Sequence, residues 1–396
     1  MINSIRLSNF LSFGNDSEEI KLNPLNIVIG TNGSGKSNFL EAFDLLRCAP
    51  SDITKPIREG GGVSDWLYKG DNKQSNAAID VVVKNSLPNP KYNELRYAIE
   101  FNAVGQQFEI VDEKIVSKQP DYGETSPYIF YDYVNGRPTL NILDDANGYK
   151  SRKLQREDID ITQSILVQKR DAIHYPEITQ LAQDFSKIKM YREWNFGRYT
   201  PARLPQKADL PNKYLEPDCG NLGLVLNQIR MNPPSKRTLL KELQFFYADV
   251  EDYDVSIVSN TAQIVFHERG LNSSVPATRL SDGTLRFLCL LAILCHPSPP
   301  PLICIEEPEL GLHPDVLPNL AKLLRDASER SQLIVTTHSE MLVDAFTDNP
   351  ETVLVAEKRD VGTQLNRLDN QQLKPWLEKY RLGQLWTRGD IGGTRW

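Results

Sequence analysis

The stretch Gly30-Thr31-Asn32-Gly33-Ser34-Gly35-Lys36-Ser37 is a complete G-x-x-x-x-G-K-[ST] phosphate-binding loop. The run at residues 25–29 precedes it, and its apolar, β-branched side chains predict a buried parallel strand. Residues 38–46 follow the loop with apolar side chains at helical spacing. The loop therefore lies between a predicted strand and a predicted helix, as this motif requires. The sequence predicts an α/β fold with a site for the phosphates of a nucleotide.

The residue types in the loop have chemical reasons. Glycines let the backbone curl so that successive N–H groups point inward, and together with the helix N-terminus they form an anion site. Lys36 is predicted to reach the β- and γ-phosphates, and the Ser37 hydroxyl to hold Mg²⁺. A glycine-rich turn without a nucleotide is the alternative, which the flanking strand and helix disfavour. The predicted nucleotide-binding residues are Gly30, Asn32, Gly33, Ser34, Gly35, Lys36, Ser37 and Asn38.

Composition limits the class of protein. With 396 residues, 40% hydrophobic and 24% charged, the chain is typical of globular proteins and long enough for two or three domains. A net charge of −7 excludes a global basic field, so any nucleic-acid contact must come from a local patch or from a partner. The five cysteines form no CxxC pair, which favours reduced thiols. We expect a cytoplasmic protein, since the chain has no signal peptide and no apolar run near the roughly 18 residues of a membrane span.

Periodicity indicates how the chain is organised. Alternating patterns recur between residues 78 and 134 and predict an antiparallel β subdomain. No heptads are sustained, so we expect no long coiled coil. We expect a single head over residues 1–396. Its predicted parts are 1–150, the start of a nucleotide-binding lobe with the β subdomain; 151–250, a mainly helical insertion; and 251–396, a lobe carrying the later motifs and a C-terminal extension.

A second strand ends in acidic residues. Residues 302–308 read Leu-Ile-Cys-Ile-Glu-Glu-Pro, a Walker B pattern. Glu306 is predicted to face the Mg²⁺ shell, and Glu307 to orient or deprotonate an attacking water. The alternative is a solvated pair of charges at the end of a strand. The apolar run directly before the acids disfavours it.

Two further segments accompany the acidic strand end. Residues 280–284, Leu-Ser-Asp-Gly-Thr, open a helical run, where a serine and a glycine can present a hydroxyl and N–H groups to an anion. Taken alone, this segment would be only a good N-cap. Residues 333–339 form another apolar run, which ends at His338. A lone histidine would more often be structural, but this one follows a predicted buried strand and stands in the expected order.

In this order the motifs resemble the RecF/SMC/OLD-like branch of ABC-type ATPases, and within it the bacterial predicted ATPases of the AAA_21 type. The resemblance implies an ABC-type head with a mixed central sheet, an antiparallel β subdomain and a helical insertion. The segments that carry it are residues 5–10, 30–37, 280–284, 306–309, 312–314, 337–339, 382–386 and 392–396.

The resemblance also implies roles for residues. ATP and Mg²⁺ are the implied ligands, with Glu307 and His338 catalytic and His338 contacting the γ-phosphate. Ser37, Gln163 and Glu306 are the implied metal ligands, and Gln168 competes with Gln163 for the Q-loop position. Glu306 stands where aspartate is usual. Residues 309–314 stand where the D-loop crosses the dimer interface.

Residues 280–284 resemble the ABC signature, normally LSGGQ, with Asp282 and Thr284 in place of the second glycine and the glutamine. The resemblance implies that Ser281 and Gly283 act in trans, on ATP held by a second copy of the chain. ATP would then join two copies, and hydrolysis would release them. The implied partner is therefore another copy, in a dimer or higher oligomer.

For biological function, the resemblance implies a dimerising switch in anti-phage defence or DNA maintenance that controls a separate effector protein. The 58 residues after His338 are too few for the nuclease domain of OLD-type proteins. The alternative is a RecF/SMC-like repair ATPase that acts directly on nucleic acid. Its candidate patch, residues 191–203, interleaves aromatic and arginine residues. A loop packed by its own aromatic side chains is the favoured interpretation of that segment.

Overall fold

The computed structural model describes residues 1–15, 17–70, 76–88, 90–120, 123–134, 136–144, 148–153 and 158–393. The chain divides into two compact units. Unit 1 comprises Met1–Ile188, Val353–Leu368 and residues 391–393, and unit 2 comprises Lys189–Thr352 and Asp369–Asp390. The last three residues of the family-like ending, 394–396, lie outside the described residues.

Strands and helices are numbered in chain order. The strands are β1 Ile2–Ser8, β2 Ile20–Lys21, β3 Leu25–Ile29, β4 Ala77–Lys84, β5 Glu94–Val104, β6 Gln107–Pro120, β7 Pro127–Val134, β8 Arg137–Asp144, β9 Gly148–Lys153, β10 Lys189–Tyr191, β11 Gln206–Lys207, β12 Val250–Val258, β13 Thr261–Glu268, β14 Val275–Pro276, β15 Leu302–Glu306, β16 Gln332–Thr336, β17 Val353–Arg359 and β18 Gly362–Arg367. The α-helices are α1 Lys36–Cys48, α2 Thr54–Glu59, α3 Val63–Trp66, α4 Ile165–Gln168, α5 Pro176–Ser186, α6 Leu222–Arg230, α7 Pro233–Phe246, α8 Asp282–Leu294, α9 Leu317–Ser328, α10 Glu340–Asp344, α11 Asn370–Leu377 and α12 Leu382–Thr387.

Unit 1 contains an antiparallel sheet in the order β2-β1-β4-β5-β6-β7-β8-β9. In β5 the buried side chains Leu95, Tyr97, Ile99 and Phe101 alternate with more exposed ones, as expected for a sheet with one face in a core. This sheet confirms the predicted antiparallel subdomain. It also extends beyond the prediction, because β8 and β9 were not expected. The polar residues and the proline of β8, Arg-Pro-Thr-Leu-Asn-Ile-Leu-Asp, hid its alternation.

A second group of strands in unit 1 carries the phosphate-binding loop, which follows β3. All five residues of β3 are buried, which explains a continuous apolar run rather than an alternating one. β3 pairs in parallel with β17, and β17 pairs antiparallel with β18. Helix α1 begins at Lys36, at the end of the loop, and buries Phe39, Leu40 and Phe43. The strand, loop and helix predicted from the sequence are all present.

Unit 2 holds the strands that lead to the acidic and histidine motifs. β15 pairs in parallel with β10 on one side and with β16 on the other. Helix α8 is buried along its whole length from Thr284 to Leu294 and packs near α6, α7 and α9. A separate antiparallel group is formed by β12 and β13, with β11 and β14 beside β13. The mixture of parallel and antiparallel strands confirms the predicted α/β class.

Helix length bears on two expectations. At 14 residues, α7 is the longest helix in the described part of the chain, in agreement with the absence of a long coiled coil. Across the same residues, no helix is both long and apolar enough to cross a membrane.

A buried carboxylate joins the antiparallel sheet of unit 1 to the start of α4. Glu113 of β6 accepts hydrogen bonds from the Tyr97 hydroxyl at 2.8 Å and the Ser164 hydroxyl at 2.5 Å. Its second oxygen accepts one from the Ile165 backbone N–H at 2.8 Å. Burial raises the pKa of the Glu113 carboxyl to about 7 despite these donors. The strand and the turn at Gln163 are thus fastened together by one titratable group.

Replacing Glu113 with glutamine should remove a pH dependence of stability. Since the folded pKa of Glu113 is raised from 4.5 to about 7, the folded chain retains a proton in this interval that the unfolded chain has released. The free energy of unfolding should therefore fall as pH rises through the interval, by roughly 3 kcal/mol at about 1.4 kcal/mol per pKa unit. Denaturant unfolding at about pH 5 and about pH 8 measures the difference between the two proteins. Glu329→Gln, at an exposed carboxylate, is the control. Equal slopes in Glu113→Gln and the natural protein would contradict the assignment.

Candidate active site

The phosphate-binding loop of unit 1 depends on glycine at two closely approached positions. Gly30 has φ +149°, and a Cβ there would lie 2.4 Å from the Ala356 carbonyl oxygen and 2.7 Å from the Ser34 hydroxyl. Gly35 has φ +101°, and its Cβ would lie 2.3 Å from the Thr363 hydroxyl. Any larger residue would collide with these groups and would also strain the backbone. The loop therefore packs directly against β17 at Gly30 and against β18 at Gly35.

Lys36 lies across the loop. Its ammonium group donates to the carbonyl oxygens of Gly30 and Thr31, both at 2.9 Å. The side chain is buried, while Asn32, Gly33 and Ser37 are exposed. The Ser34 hydroxyl is buried and has no hydrogen-bond partner among the described residues. A cation held over a glycine-rich loop, beside exposed loop residues, is suited to binding phosphate.

A hydrogen-bond network supports the loop on the side of β18. Two of its members, Ser12 and Thr363, were not predicted from the sequence. The Thr363 hydroxyl is 3.0 Å from the Ser34 carbonyl oxygen and 2.8 Å from the Ser12 hydroxyl. The side-chain amide of Asn38, which is predicted to bind nucleotide, donates to the Ser12 hydroxyl at 2.8 Å. Thr363 is buried and far from the loop in sequence, so no local pattern marks it.

The two candidate Q-loop glutamines differ in the hydrogen bonds of their side chains. The Gln168 side chain is used within its own turn, donating to the carbonyl oxygens of Asp160 at 2.9 Å and Gln163 at 2.7 Å. It also accepts from the Asp160 N–H at 2.9 Å. The Gln163 side chain is half-buried and forms no hydrogen bond with another described residue. Gln163 stays the preferred candidate for the Q-loop position, as a prediction.

In unit 2 the first acid of the motif has a partner that the sequence did not indicate. The Glu306 carboxylate forms an ion pair with Arg192, with 3.1 Å between Nε and Oε2. The indole N–H of Trp194 donates to the Glu306 carbonyl oxygen at 2.7 Å. Both charged side chains are about one-fifth exposed. Any cation that approaches this carboxylate shares it with Arg192.

The predicted catalytic pair is brought together. Glu307 Oε1 lies 3.3 Å from His338 Nε2. Glu307 has φ +46°, a left-handed conformation that is uncommon outside glycine and costs about 1–3 kcal/mol. Its N–H donates to the Thr336 carbonyl oxygen at 3.0 Å, which continues the pairing of β15 with β16 for one more residue. Strained residues of this kind are concentrated at functional sites.

The signature-like segment forms the start of α8. Ser281 is the N-cap, and its hydroxyl accepts from the Thr284 N–H at 3.0 Å. A Cβ at Gly283 would lie 3.2 Å from the Gly311 carbonyl oxygen, so a larger residue would fit only if this carbonyl moved by a few tenths of an ångström. Asp282, the departure from the family pattern, forms an ion pair with Arg203. Arg203 also donates to the Leu280 carbonyl oxygen. Arg203 thus contacts the segment on either side of Ser281, at Leu280 and at Asp282.

Part of the candidate nucleic-acid patch, residues 191–203, is packed: Tyr191, Phe196 and Arg203 are buried, whereas Arg198 and Tyr199 are exposed. The Trp194 ring stacks with Tyr191 and with Phe196, each with 6.2 Å between centroids. The Arg286 guanidinium lies 5.4 Å from the Trp194 ring and 5.5 Å from that of Phe196. With Arg192 and Arg203 engaged by carboxylates, the packed interpretation is the one that the structure shows. The segment forms one wall of a pocket of about 350 Å³ at the start of α8.

Each unit carries groups of the kind that bind a magnesium nucleotide. In unit 1 the glycine loop leaves space that side chains would fill, and it holds the Lys36 ammonium group. Mg²⁺ prefers oxygen donors, which unit 1 offers at the Ser37 hydroxyl and the Gln163 amide and unit 2 at the Glu306 carboxylate. The described part of the chain has no group of three or more His, Cys, Asp or Glu side chains arranged as a metal site.

The fold and these motifs define an ABC-type P-loop ATPase head. Residues 25–344 match the AAA_21 family model, described as "AAA domain, putative AbiEii toxin, Type IV TA system", and the chain belongs to this family. No curated protein matches the chain.

Two solved structures show the same fold. One is an Smc head bound to the C-winged helix domain of ScpA, with a TM-score of 0.57 and 14% identity, covering 94% of this chain and 99% of that one. Another is an Smc head domain with an extended coiled coil, bound to the C-terminal domain of ScpA derived from Pyrococcus furiosus. Its TM-score is 0.54 at 13% identity, with 96% and 98% of the two chains covered. At these identities the likeness concerns the fold.

Removing the Thr363 hydroxyl should weaken the support of the phosphate-binding loop and lower its affinity for ATP. Thr363→Val keeps the shape of the side chain but removes the contacts with Ser34 and Ser12. We expect Kd for a fluorescent ATP analogue to rise about 5- to 10-fold, as for the loss of one hydrogen bond of about 1 kcal/mol. Thr363→Ser retains the hydroxyl and is the matched control. Equal affinities for the valine and serine variants would show that the network does not support nucleotide binding.

Proposed function

We propose that this chain binds and hydrolyses ATP. The pairing of Glu307 with His338 carries the proposal, because the phosphate-binding loop alone specifies binding and not hydrolysis. Glu307 is a carboxylate at the end of a buried strand and is only partly exposed, so it is suited to accept a proton from water. Family membership supports the same assignment.

In the proposed reaction the loop N–H groups and Lys36 bind the phosphates of ATP. Ser37, Gln163 and Glu306 would hold Mg²⁺, which neutralises developing phosphate charge. Arg192 must then share or release the Glu306 carboxylate. Glu307 takes a proton from the attacking water, whose oxygen bonds to the γ-phosphorus while the bond from that phosphorus to the bridging oxygen of ADP breaks. ADP and phosphate leave, and His338 contacts the γ-phosphate. These roles follow from the motif order of the family and from the residue chemistry.

We further propose that two copies of the chain assemble around ATP. Ser281 and Gly283 stand at the N-terminus of α8, a 13-residue helix whose N–H groups and dipole favour an anion. Ser281 is exposed, so an anion on another copy can reach it. ATP shifts the population toward the dimer only through contacts that exist in the dimer. Hydrolysis removes those contacts and releases the copies.

The output of the switch is proposed to belong to a separate effector protein, in bacterial anti-phage defence or DNA maintenance. The family description, which names a toxin of a toxin–antitoxin system, supports a function exerted through a protein pair. The Smc heads of the same fold are bound to domains of ScpA. A partner protein that co-purifies with the chain and changes its ATP turnover would test this part of the proposal.

The second candidate is direct action on nucleic acid. The observation that favours it is the exposure of Arg198 and Tyr199, with Tyr199 79% exposed at the end of the packed segment. DNA-stimulated ATP turnover with a steep salt dependence would support it. Turnover that does not respond to DNA, together with a co-purifying effector, would support the first candidate.

Glu307→Gln should retain ATP binding and lose hydrolysis. The glutamine amide keeps the size of the side chain but cannot accept a proton, so we expect kcat to fall about 10²- to 10⁴-fold. Kd for ATP should change little. Steady-state phosphate release and ATP titration measure the two quantities. Glu329→Gln, at an exposed position of the same unit, is the control. Normal hydrolysis by Glu307→Gln would show that the general base lies elsewhere.

Complementation tests the trans site. Ser281→Arg should block the signature surface and Lys36→Ala the phosphate loop, so each variant alone should be inactive. A mixture should regain turnover, because a heterodimer contains one intact loop facing one intact signature segment. Light scattering should show ATP-dependent dimers of the natural protein but not of Ser281→Arg. Ser273→Arg, in an exposed loop, is the control for added charge. If mixing restores no turnover, ATP is not shared between copies.

A further inference from the structure

The third acid of the sequence Glu306-Glu307-Pro308-Glu309 has no role in the proposed reaction, yet it makes specific contacts. Glu309 follows β15, and its Oε1 accepts a hydrogen bond from the Thr337 hydroxyl at 2.6 Å. The same oxygen accepts one from the His338 backbone N–H at 2.8 Å. Thr337 and His338 directly follow β16. Glu309 therefore ties the turn that carries the acids to the turn that carries the histidine.

A second connection joins the same two turns. The Glu307 N–H donates to the Thr336 carbonyl oxygen at 3.0 Å, and the Thr336 hydroxyl lies 3.3 Å from the same nitrogen. The backbone thus holds the turns at Glu307, and the Glu309 carboxylate holds them two residues later. Between these two attachments Glu307 Oε1 meets His338 Nε2 at 3.3 Å.

The environment of Glu309 is costly for a carboxylate. Its Oε2 is buried and has no hydrogen-bond partner among the described residues. Burial also raises the pKa of the carboxyl. An unsatisfied buried oxygen costs stability, so the contacts of Oε1 must offset this cost. The His338 side chain, in contrast, is about one-third exposed, and packing alone restrains its ring weakly.

We propose that Glu309 is a positioning residue that holds the turn at Thr337 and His338 so that the imidazole meets Glu307. Glu309 itself touches neither water nor phosphate in this assignment. It acts by accepting from the His338 N–H, which sets the backbone from which the ring projects, and from Thr337, which anchors that backbone in the core. The catalytic consequence rests on the proposed function of Glu307 and His338, whereas the structural link does not.

Kinetics provide the first test. Glu309→Ala removes the acceptor for both donors, and we expect kcat to fall about 10- to 100-fold, as for a catalytic group displaced by about 1 Å. Glu309→Gln retains a side-chain oxygen for the same donors, so kcat should stay within about threefold. KM for ATP should change little in either variant, because neither alters the phosphate-binding loop. Equal kcat values for Glu309→Ala and the natural protein would overturn the proposal.

A double-mutant cycle separates positioning from a general loss of structure. If Glu309 acts through the histidine, Glu309→Ala should have little further effect on kcat once His338 is alanine. Independent, additive losses would overturn the proposal. Should Glu309→Ala fail to fold, Thr337→Val removes one of the two donors and should lower kcat about three- to tenfold. An unchanged kcat in Thr337→Val would then overturn it.

A readout without ATP distinguishes failure of this inference from failure of the proposed function. The ¹H–¹³C cross-peak of the His338 ring, assigned with His338→Gln, should shift in Glu309→Ala and stay in place in Glu309→Gln. If the cross-peak shifts as expected but the natural protein does not hydrolyse ATP, the proposed function fails and the structural link stands. If hydrolysis depends on His338 but the cross-peak is unchanged in Glu309→Ala, the inference fails and the proposed function stands.

Discussion

The phosphate-binding loop depends on the absence of side chains at two positions. The Ala356 carbonyl oxygen and the Thr363 hydroxyl occupy the space that a Cβ at Gly30 or Gly35 would need. Strand β3 and helix α1 fix the two ends of the loop, and β17 and β18 pack against it at Gly30 and Gly35. This close packing lets a short loop present its N–H groups and Lys36 to an anion. The other motifs have a function only if this anion site exists.

In unit 2 the parallel register of two strands brings Glu307 and His338, the predicted catalytic pair, together. Glu306 lies opposite Thr336, so the residues that follow each strand emerge at the same edge of the sheet. The left-handed turn at Glu307 costs about 1–3 kcal/mol, and the hydrogen bonds at Thr336 and Glu309 offset that strain. The geometry of Glu307 and His338 is therefore a property of both turns. Neither turn could produce it alone.

The segment 191–203 shows why composition is ambiguous. Arginine interleaved with aromatic residues is typical of nucleic-acid patches, but it is equally suited to packing beside acids. Here Arg192 neutralises Glu306, Arg203 neutralises Asp282, and the rings stack with Arg286. The same segment thus contacts the predicted metal ligand and the start of α8. Among its three arginines only Arg198 has no carboxylate partner of this kind, and it is exposed beside the exposed ring of Tyr199.

The sequence by itself determined the features that are local in the chain: the phosphate loop between β3 and α1, the acidic end of β15, the N-cap of α8 and the antiparallel class of the first sheet. Propensity, periodicity and fixed spacing act over a few residues, so these features leave a readable pattern. Only the tertiary structure decided the partners of those motifs. Each partner lies in or shortly after a different strand. Thr363 contacts the loop at Ser34, and Arg192 pairs with Glu306. Glu309 accepts from the His338 N–H, and Glu113 accepts from the Ser164 hydroxyl. Such a contact joins residues that are distant in sequence and depends on how strands pair and helices pack, so nothing in the neighbouring residues marks it.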